Sequence, residues 1–555
     1  MRTKLIAPSA PEIPVGALAM RSPAPDTGTV IRWLRSHLTD EWQIALIAAT
    51  LSIAFFVWYD AHGFTIAFND ARIRDMIARR VVMSRTPGLA QLGTTWLPLP
   101  FLLMLPLIWN DTLFRDNVAG SLPSMVAYVL AAVYIYRSAR LLSSSRRAGW
   151  VAAGILMLNP SLLYMQSTSM SEIASLSALV IAVYYALQVT RTFRAADIVK
   201  CAFTAAAGTL IRYENWVFAL AFLPILAYVG WRRRGYALAE SWTILYGVLG
   251  FAGCAAWVLY NAVIFHDPLL SFFYGNRDHT FYANAPTYLL PGRHHALTAL
   301  VMYSVTVAET VGWPLAFLAI LGLAVFAWRN RLRQAALPAY LFLAPFAFYW
   351  LVLYKGANTE TLGIPGLGTG QLYNVRFGML MIPGVALYTG LLTTAGPALV
   401  KRILPGVALA AILFSGVLGT IHTPFVLREA LYGSAGAGTE EPGKQDASWL
   451  SSHYHGGNIL ITYVNTPTII FYLLIAHEVS DRALITDANG AQFAEALSQP
   501  QHWVTWIVMD SDASNGASQI WTDLHGRQDW LGDFILVRTS GTTQFYERRS
   551  AVASR

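Results

Sequence analysis

The chain alternates between long apolar runs and short polar connections up to about residue 423. About eleven of these runs approach the length that a helix needs to cross a bilayer. They lie at residues 43–59, 118–136, 149–164, 173–190, 198–211, 215–231, 242–265, 312–328, 337–354, 377–395 and 403–423. The run at 198–211 is short, so we expect it to be tilted, broken or interfacial. The pattern predicts an α-helical polytopic membrane protein with about 11 transmembrane helices.

A different pattern begins after Thr423, where short runs that favour strands alternate with short runs that favour helices. The expected strands are 458–463, 483–486, 503–509, 534–539 and 542–547, and the expected helices are 467–476, 491–497 and 517–524. Such alternation predicts a small α/β domain. We therefore expect three parts, namely a disordered polar tail at 1–40, a transmembrane domain at 41–424 and an α/β domain at 425–555.

The charges of the connections indicate how the chain is oriented. The sequence is 55% hydrophobic and 13% charged, with a net charge of +8. Most Lys and Arg residues lie in alternate short loops, for example Arg232, Arg233 and Arg234, so the positive-inside rule places these loops and residues 1–40 in the cytoplasm. An odd number of spans then places the α/β domain outside a cell (inner or plasma) membrane. The excess of cations follows from topology and does not indicate nucleic-acid binding. The arginine-rich loop at 60–117 is an exception, since the alternation places it outside.

Ionisable residues collect at the outer ends of the expected spans. Charges near membrane depth are costly and usually face a cavity or a partner. The set comprises Asp70, Glu172, Arg212, Glu214, His266, Asp267, Arg277, Asp278, His279, Lys355 and Arg376. Because they come from distant segments and converge on one side of the membrane, they indicate a site rather than an inert scaffold.

Asp70 follows the first apolar run and precedes a segment with helical spacing. It is expected to act as a general base that deprotonates a hydroxyl, to cap that helix, or to do both. Asp75 on the same helix is expected to be a solvated partner of Arg72 or Arg79. Glu172 opens the fourth span, where it could orient a substrate or simply stabilise the helix start.

Further candidates lie later in the chain. Arg212 and Glu214 form a polar turn that either braces the site or makes a local surface ion pair. Lys355 and Arg376 flank a glycine-rich loop; both either bind phosphate or snorkel at helix ends. His266 opens a long external loop and is a candidate for sugar or phosphate binding.

Several local motifs carry a resemblance to a known superfamily. They are Asp70 in the first external loop, the segment Gly93-Thr94-Thr95-Trp96-Leu97-Pro98-Leu99-Pro100, the turn Arg212-Tyr213-Glu214-Asn215-Trp216, and Tyr373-Asn374-Val375-Arg376-Phe377-Gly378 with Pro383 after it. In this order the chain resembles the GT-C polytopic glycosyltransferases over about residues 40–425. It is most similar to bacterial relatives of protein O-mannosyltransferases and of aminoarabinose transferases that act on lipid A.

The resemblance implies a sugar donor carried on a polyprenyl phosphate, an acceptor hydroxyl on a glycan, lipid or protein, and inverting transfer outside the cytoplasm. It implies that residues 41–424 form the catalytic domain, that Asp70 is the base, and that Arg376, assisted by Lys355, binds the donor phosphate. The supporting or substrate-binding residues would be Glu172, Arg212, Glu214, His266 and Tyr373. No cofactor is required. A divalent cation stays possible, but no paired-acid motif supports it, because Asn69 and Ala71, rather than a second acid, flank Asp70.

Three other functions fit parts of the pattern. A transporter or flippase of a lipid-linked sugar is the main alternative, although the sequence shows no internal repeat of the kind that many transporters contain. An oligosaccharide polymerase or ligase would use a similar donor without needing Asp70. A membrane anchor for an external sensor domain would leave the charged outer loops unexplained.

Overall fold

The computed structural model describes residues 39–270, 290–331, 333–356, 362, 371–421, 424–433, 441–463, 466–476, 478–512 and 518–553. The chain forms two compact units, Met1–Gln43 and Ile44–Arg555. The first turn of helix α1 belongs to the first unit, and all other elements below belong to the second.

In the part of the chain between residues 39 and 270, all regular elements are helices. Its α-helices are α1 Asp40–Ala61, α2 Asn69–Met83, α3 Leu99–Ile108, α4 Asp111–Arg115, α5 Val118–Ser143, α6 Arg146–Met157, α7 Pro160–Met165, α8 Glu172–Thr192, α9 Ala195–Thr209, α10 Glu214–Arg234, α11 Tyr236–Gly250 and α12 Ala252–Phe265. Short 3₁₀ helices at Phe64–Ile66 and Leu89–Leu92 flank α2.

The next helices complete the membrane part. They are α13 Ala296–Val311, α14 Trp313–Asn330, α15 Ala344–Lys355, α16 Ile382–Leu392, α17 Ala398–Ile421 and α18 Phe425–Tyr432. The 3₁₀ segments Gln334–Leu343 and Val375–Met381 lead directly into α15 and α16. Large apolar side chains such as Ile53, Phe317 and Leu413 are exposed on the outer helices, as expected for surfaces that face lipid.

Within the described residues, eight helices are long and apolar enough to cross a membrane, or nine if the pair α11–α12, bent by 41°, is one span. The polytopic helical architecture is therefore confirmed, whereas the expected number of 11 transmembrane helices is not. Two expected spans, 149–164 and 198–211, correspond to shorter helices. The first is divided because the Asn159 side chain caps α7 by accepting from Leu162 N at 3.0 Å, and Pro160 begins the new helix. The second is the 15-residue helix α9.

The region after residue 440 contains the expected mixture of helices and strands. Its elements are α19 Glu441–His453, β1 Ile459–Leu460, α20 Pro467–Ala476, β2 Leu484–Ile485, α21 Ala491–Ser498, α22 Pro500–Trp503, β3 Trp506–Asp510, α23 Gln519–Leu524, β4 Phe534–Ser540, β5 Thr543–Arg548 and α24 Arg549–Ala553. Short 3₁₀ helices lie at Asp481–Ala483 and Asp487–Asn489. The strands form one sheet in the order β2-β1-β3-β5-β4, in which β1 is parallel to β2 and β3, and β5 is antiparallel to β3 and β4.

The two faces of this sheet bury different neighbours, because side chains alternate along each strand. Trp506 and Val508 of β3 pack in a core that also contains residues of α2, α3, α4, α19 and α20. Ile507 and Met509 point to the other face, where they pack with α21 and α23. Helix α2, which lies in the loop at 60–117, therefore shares one hydrophobic core with the sheet.

An ion-pair cluster fixes α2 against this core. The Arg79 guanidinium donates to Asp481 at 2.8 Å and to Asp111 at 2.6 Å, and it lies 4.4 Å from the centre of the Phe114 ring. Arg79 itself is buried. The arginine-rich helix expected in the loop at 60–117 is thus present, but Arg72, Arg74 and Arg79 are buried inside the protein.

Candidate active site

The centre of the site is Arg376, whose guanidinium contacts three carboxylates from three different helices. Nη2 lies 2.7 Å from Asp70 of α2, Nε lies 3.2 Å from Glu172 of α8, and Nη1 lies 3.0 Å from Glu429 of α18. Asn374 adopts a left-handed conformation with φ of 58°, which asparagine tolerates well, and starts the 3₁₀ segment that presents Arg376. Residues separated by more than 300 positions are thereby joined at one point.

Glu429 is the acid that the sequence analysis did not identify. Its side chain is fully buried, and besides Arg376 Nη1 it accepts from the backbone N–H of Asn374 at 2.7 Å and of Arg376 at 3.1 Å. Burial raises the pKa of the Glu429 carboxyl, while Arg376 and these two N–H groups counteract that effect. Glu429 therefore fixes both the backbone and the side chain of Arg376. Its local sequence gave no signal, because an acid within a short amphipathic helix is usually solvated.

Glu172 connects Arg376 to a second arginine. The same Oε1 atom that contacts Arg376 lies 3.0 Å from Arg212 Nη1, and Arg212 Nε lies 2.5 Å from Glu214. Arg212 Nη2 also donates to the Tyr349 hydroxyl at 3.1 Å. Although burial opposes the charged form, the two acids and Tyr349 raise the pKa of Arg212 well above its ordinary value. The Arg212 turn is thus more than a local surface pair, since its guanidinium also contacts Glu172.

Asp70 differs from the other acids of this cluster in its exposure. Its side chain is 30% exposed, compared with 1% for Glu172, 5% for Glu214 and 0% for Glu429. Asp70 lies in the first turn of α2, but the N-cap residue is Phe68 and no side chain caps the helix. Capping therefore does not account for Asp70, and its carboxylate can reach a bound molecule.

Arg74 lies one helical turn after Asp70 and is also part of this region. It is buried, and its guanidinium carbon lies 4.4 Å from the centre of the Trp96 ring and 5.8 Å from that of Phe101. Burial lowers the pKa of Arg74 to about 10, while the charges of Glu172 and Asp70 act in the opposite direction. The segment containing Trp96, which the sequence analysis singled out as a motif, therefore holds a cation beside the acids.

The structure does not bring all expected residues into this cluster. Lys355 is exposed at the end of α15, as the snorkelling alternative predicts, and His266 forms the C-cap of α12 with a φ of 59°. Neither makes a contact with the cluster among the described residues. Tyr373 is half-buried three positions before Arg376. The candidates Arg277, Asp278 and His279 lie outside the described residues.

Asp75 also differs from its expected environment. It was expected to be solvated beside Arg72 or Arg79, but its side chain is buried and neither oxygen has a hydrogen-bond partner among the described residues. The Asp75 carboxyl lies against Gly120 of α5 and beside Ser169, and a local pattern could not indicate this contact between distant segments. No group of three or more His, Cys, Asp or Glu residues is placed to hold a metal in the described part of the chain.

Comparison with known proteins supports the fold. Residues 112–260 match the family model of the dolichyl-phosphate-mannose-protein mannosyltransferases. No curated protein matches the sequence significantly. Among solved structures, ArnT from Cupriavidus metallidurans bound to undecaprenyl phosphate is 13% identical with a TM-score of 0.53, over 92% of this chain and 98% of that chain.

A second structure gives the same result. The oligosaccharyltransferase from Archaeoglobus fulgidus in its apo form is 12% identical with a TM-score of 0.50, over 86% of this chain and 70% of that chain. At such low identity the similarity shows the fold alone. The chain has the GT-C glycosyltransferase fold with a small C-terminal sheet region, and the fold expected from the sequence is confirmed.

Proposed function

We propose that the chain is an integral-membrane glycosyltransferase that moves a sugar from a polyprenyl-phosphate donor to an acceptor hydroxyl outside the cytoplasm, with Asp70 as general base. The GT-C fold and the match to a polyprenyl-phosphate-dependent family over residues 112–260 support the reaction class. A single observation supports the assignment of the base. The Asp70 side chain is partly exposed, whereas the other carboxylates of the cluster are buried.

The geometry of Asp70 suits proton transfer. Oδ2 is held by Arg376 at 2.7 Å, whereas Oδ1 has no partner among the described residues. In the proposed step the acceptor oxygen forms a bond to the anomeric carbon and passes its proton to Oδ1. The bond between the anomeric carbon and the phosphate oxygen breaks, and the polyprenyl phosphate leaves with the electron pair. Attack opposite the leaving group inverts the anomeric configuration.

The remaining acids have a different role in this proposal. Glu172 and Glu429 are buried against Arg376, and Glu214 is buried against Arg212. A base must exchange protons with a substrate, so a sealed carboxylate is poorly placed for that task. Their function is to hold Arg376, and through it Asp70, in one position. The step balances without a cofactor, and transfer by enzyme treated with EDTA should equal that of untreated enzyme.

One assay tests the proposal. The full-length protein, purified in detergent, is given a panel of radiolabelled polyprenyl-phosphate sugars and a cell-envelope extract that contains glycan, lipid and protein acceptors. We expect transfer by the wild-type protein and a loss of about 10²-fold or more with Asp70→Asn, because general-base catalysis contributes about 10²–10⁴-fold. Asp116→Asn is the matched control, since Asp116 lies in the same external loop but is exposed and outside the cluster.

The outcomes separate the proposal from its alternatives. Full transfer by Asp70→Asn would show that another group is the base. Movement of intact lipid-linked sugar across vesicle membranes, without any glycosidic product, would favour the transporter. A product with the donor's anomeric configuration, determined by NMR, would contradict inversion.

A further inference from the structure

Two of the arginines near the base already bind acids of the protein. Arg376 uses Nε, Nη1 and Nη2 for Glu172, Glu429 and Asp70. Arg212 uses its three nitrogens for Glu214, Glu172 and Tyr349. A phosphate at either guanidinium would lie beside these carboxylates, whose negative charges oppose the binding of another anion.

Arg74 is in the opposite situation. Its guanidinium forms no ion pair and no hydrogen bond with any described residue, and its Nε atom is sealed from solvent without an acceptor. The side chain is only 4% exposed. Buried cations are normally paired, so an unpaired one beside the proposed base is a candidate for binding an anion that is not part of the protein.

The position of Arg74 is fixed by aromatic side chains rather than by acids. The guanidinium lies 4.4 Å from the centre of the Trp96 ring. Such a cation–π contact orients the planar group while leaving its N–H donors free at the edges. A guanidinium presented in this way can bind two oxygens of one phosphate.

The spacing along α2 relates Arg74 to the proposed reaction. Asp70 and Arg74 are four residues apart in the same helix, which places both side chains on one face, about 6 Å apart at their β-carbons. Inverting transfer needs a base on one side of the anomeric carbon and a stabilised leaving group on the other. A base and a cation one turn apart can contact the two ends of one sugar-phosphate at the same time.

We propose that Arg74 binds the phosphate of the polyprenyl-phosphate donor and stabilises it as the leaving group, while Arg376 positions Asp70. This inference rests on the proposed function and reassigns the phosphate contact expected for Arg376. As the glycosidic oxygen takes the electron pair, negative charge develops on the phosphate. This charge faces the Arg74 guanidinium, which holds no carboxylate in the described part of the chain.

Binding of two probes that differ only in charge tests the inference. Undecaprenyl phosphate and undecaprenol are titrated into the full-length wild-type protein and into the Arg74→Gln, Arg74→Met and Arg74→Lys variants. The wild type should prefer the phosphate by about 10-fold to 100-fold, as expected for hydrogen bonds to a charged group. We expect Arg74→Gln and Arg74→Met to lose this preference and Arg74→Lys to retain part of it. Arg85→Gln, which removes a charge beyond the end of α2, should retain all of it.

A second readout separates phosphate binding from a structural role. Arg74→Met keeps the length of the side chain and its contact with Trp96 but removes the unpaired charge. The variant should therefore unfold at a temperature no lower than that of the wild type, and it serves as the test if Arg74→Gln does not fold. A structurally required guanidinium would instead make Arg74→Met less stable while leaving the phosphate preference unchanged, and that result would overturn the inference.

The failure of this inference can be distinguished from failure of the proposed function. If the wild type binds undecaprenol as tightly as undecaprenyl phosphate, the donor class itself is wrong, and the role of Arg74 with it. If the wild type prefers the phosphate and Arg74→Gln keeps the whole preference, only the assignment of Arg74 is wrong. A fall in kcat for transfer that matches the loss of phosphate preference would support both.

Discussion

Asp75 provides a sharp test of how α2 is buried. Its carboxyl group is enclosed, and the Ser169 hydroxyl that approaches it donates instead to the Ala71 carbonyl at 2.8 Å. Burial raises the pKa of Asp75 from 3.8 to about 8, with Ser169 and Arg74 acting against the shift. The group is therefore neutral in the folded protein at pH 7, whereas in the unfolded chain it is ionised.

This difference makes folding depend on pH in a defined direction. Below pH 3.8 the carboxyl is protonated in both states and has no effect. Between the two pKa values the unfolded chain releases the proton and the folded protein keeps it, so stability falls as the pH rises. Each pH unit removes about 1.4 kcal/mol, which amounts to about 4 kcal/mol at pH 7. Above about pH 8 the folded protein also ionises and the loss stops.

The Asp75→Asn substitution removes this dependence. Thermal unfolding of the wild type and the variant is followed by tryptophan fluorescence in detergent from pH 5 to pH 9. The variant should gain stability relative to the wild type as the pH rises to 8, by several degrees in all, and the difference should then level off. Asp116→Asn, in an exposed position of the same loop, should show no such trend. A difference between Asp75→Asn and the wild type that is constant over this range, or that shrinks, would refute the reasoning.

Two further substitutions test how the site is held together. Glu429→Gln removes one carboxylate from Arg376 and places a neutral amide opposite two backbone N–H groups. We therefore expect transfer to fall about tenfold or more and the unfolding temperature to decrease. Unchanged values in both assays would contradict the role of Glu429. Arg79→Gln removes the ion pair with Asp481, so we expect proteases to release the sheet region faster. Adding Asp481→Asn to this variant should increase the rate only a little, because the ion pair is already lost. Additive effects of these two changes would show that the pair is not the relevant link.

The parts of the fold that were predictable follow from local patterns. Apolar runs indicated α5, α8 and α10 because a bilayer requires that composition whatever the rest of the chain does. A short run of residues that favour strands indicated β3 at 503–509, close to the observed Trp506–Asp510. The 149–164 run was less predictable, because its apolar composition concealed the helix break at Asn159 and Pro160.

The site was predictable to the extent that topology determined it. Asp70, Glu172, Arg212 and Arg376 were expected on one side of the membrane, and the structure joins them in one network. Glu429 could not be anticipated, since its burial depends on packing against a segment more than fifty residues earlier in the chain. Lys355 was expected in the site but lies outside it. A cation at the end of a span has the same local sequence pattern whether it binds a ligand or faces solvent.

The distribution of charges along α2 explains why the sheet region matters for chemistry. One end of the helix presents Asp70 to Arg376, its middle holds Arg74 against Trp96, and its other end is fixed to Asp481 through Arg79. A helix is stiff over this length, so a displacement at Arg79 must move Asp70 as well. The contact with Asp481 therefore acts on the position of the proposed base although it lies several helical turns from it. Arg74 lies between Arg79 and Asp70 on the same helix. Asp481→Asn should therefore both lower the kcat of transfer and raise the KM for the donor. An effect confined to KM would show that the sheet region affects substrate access instead.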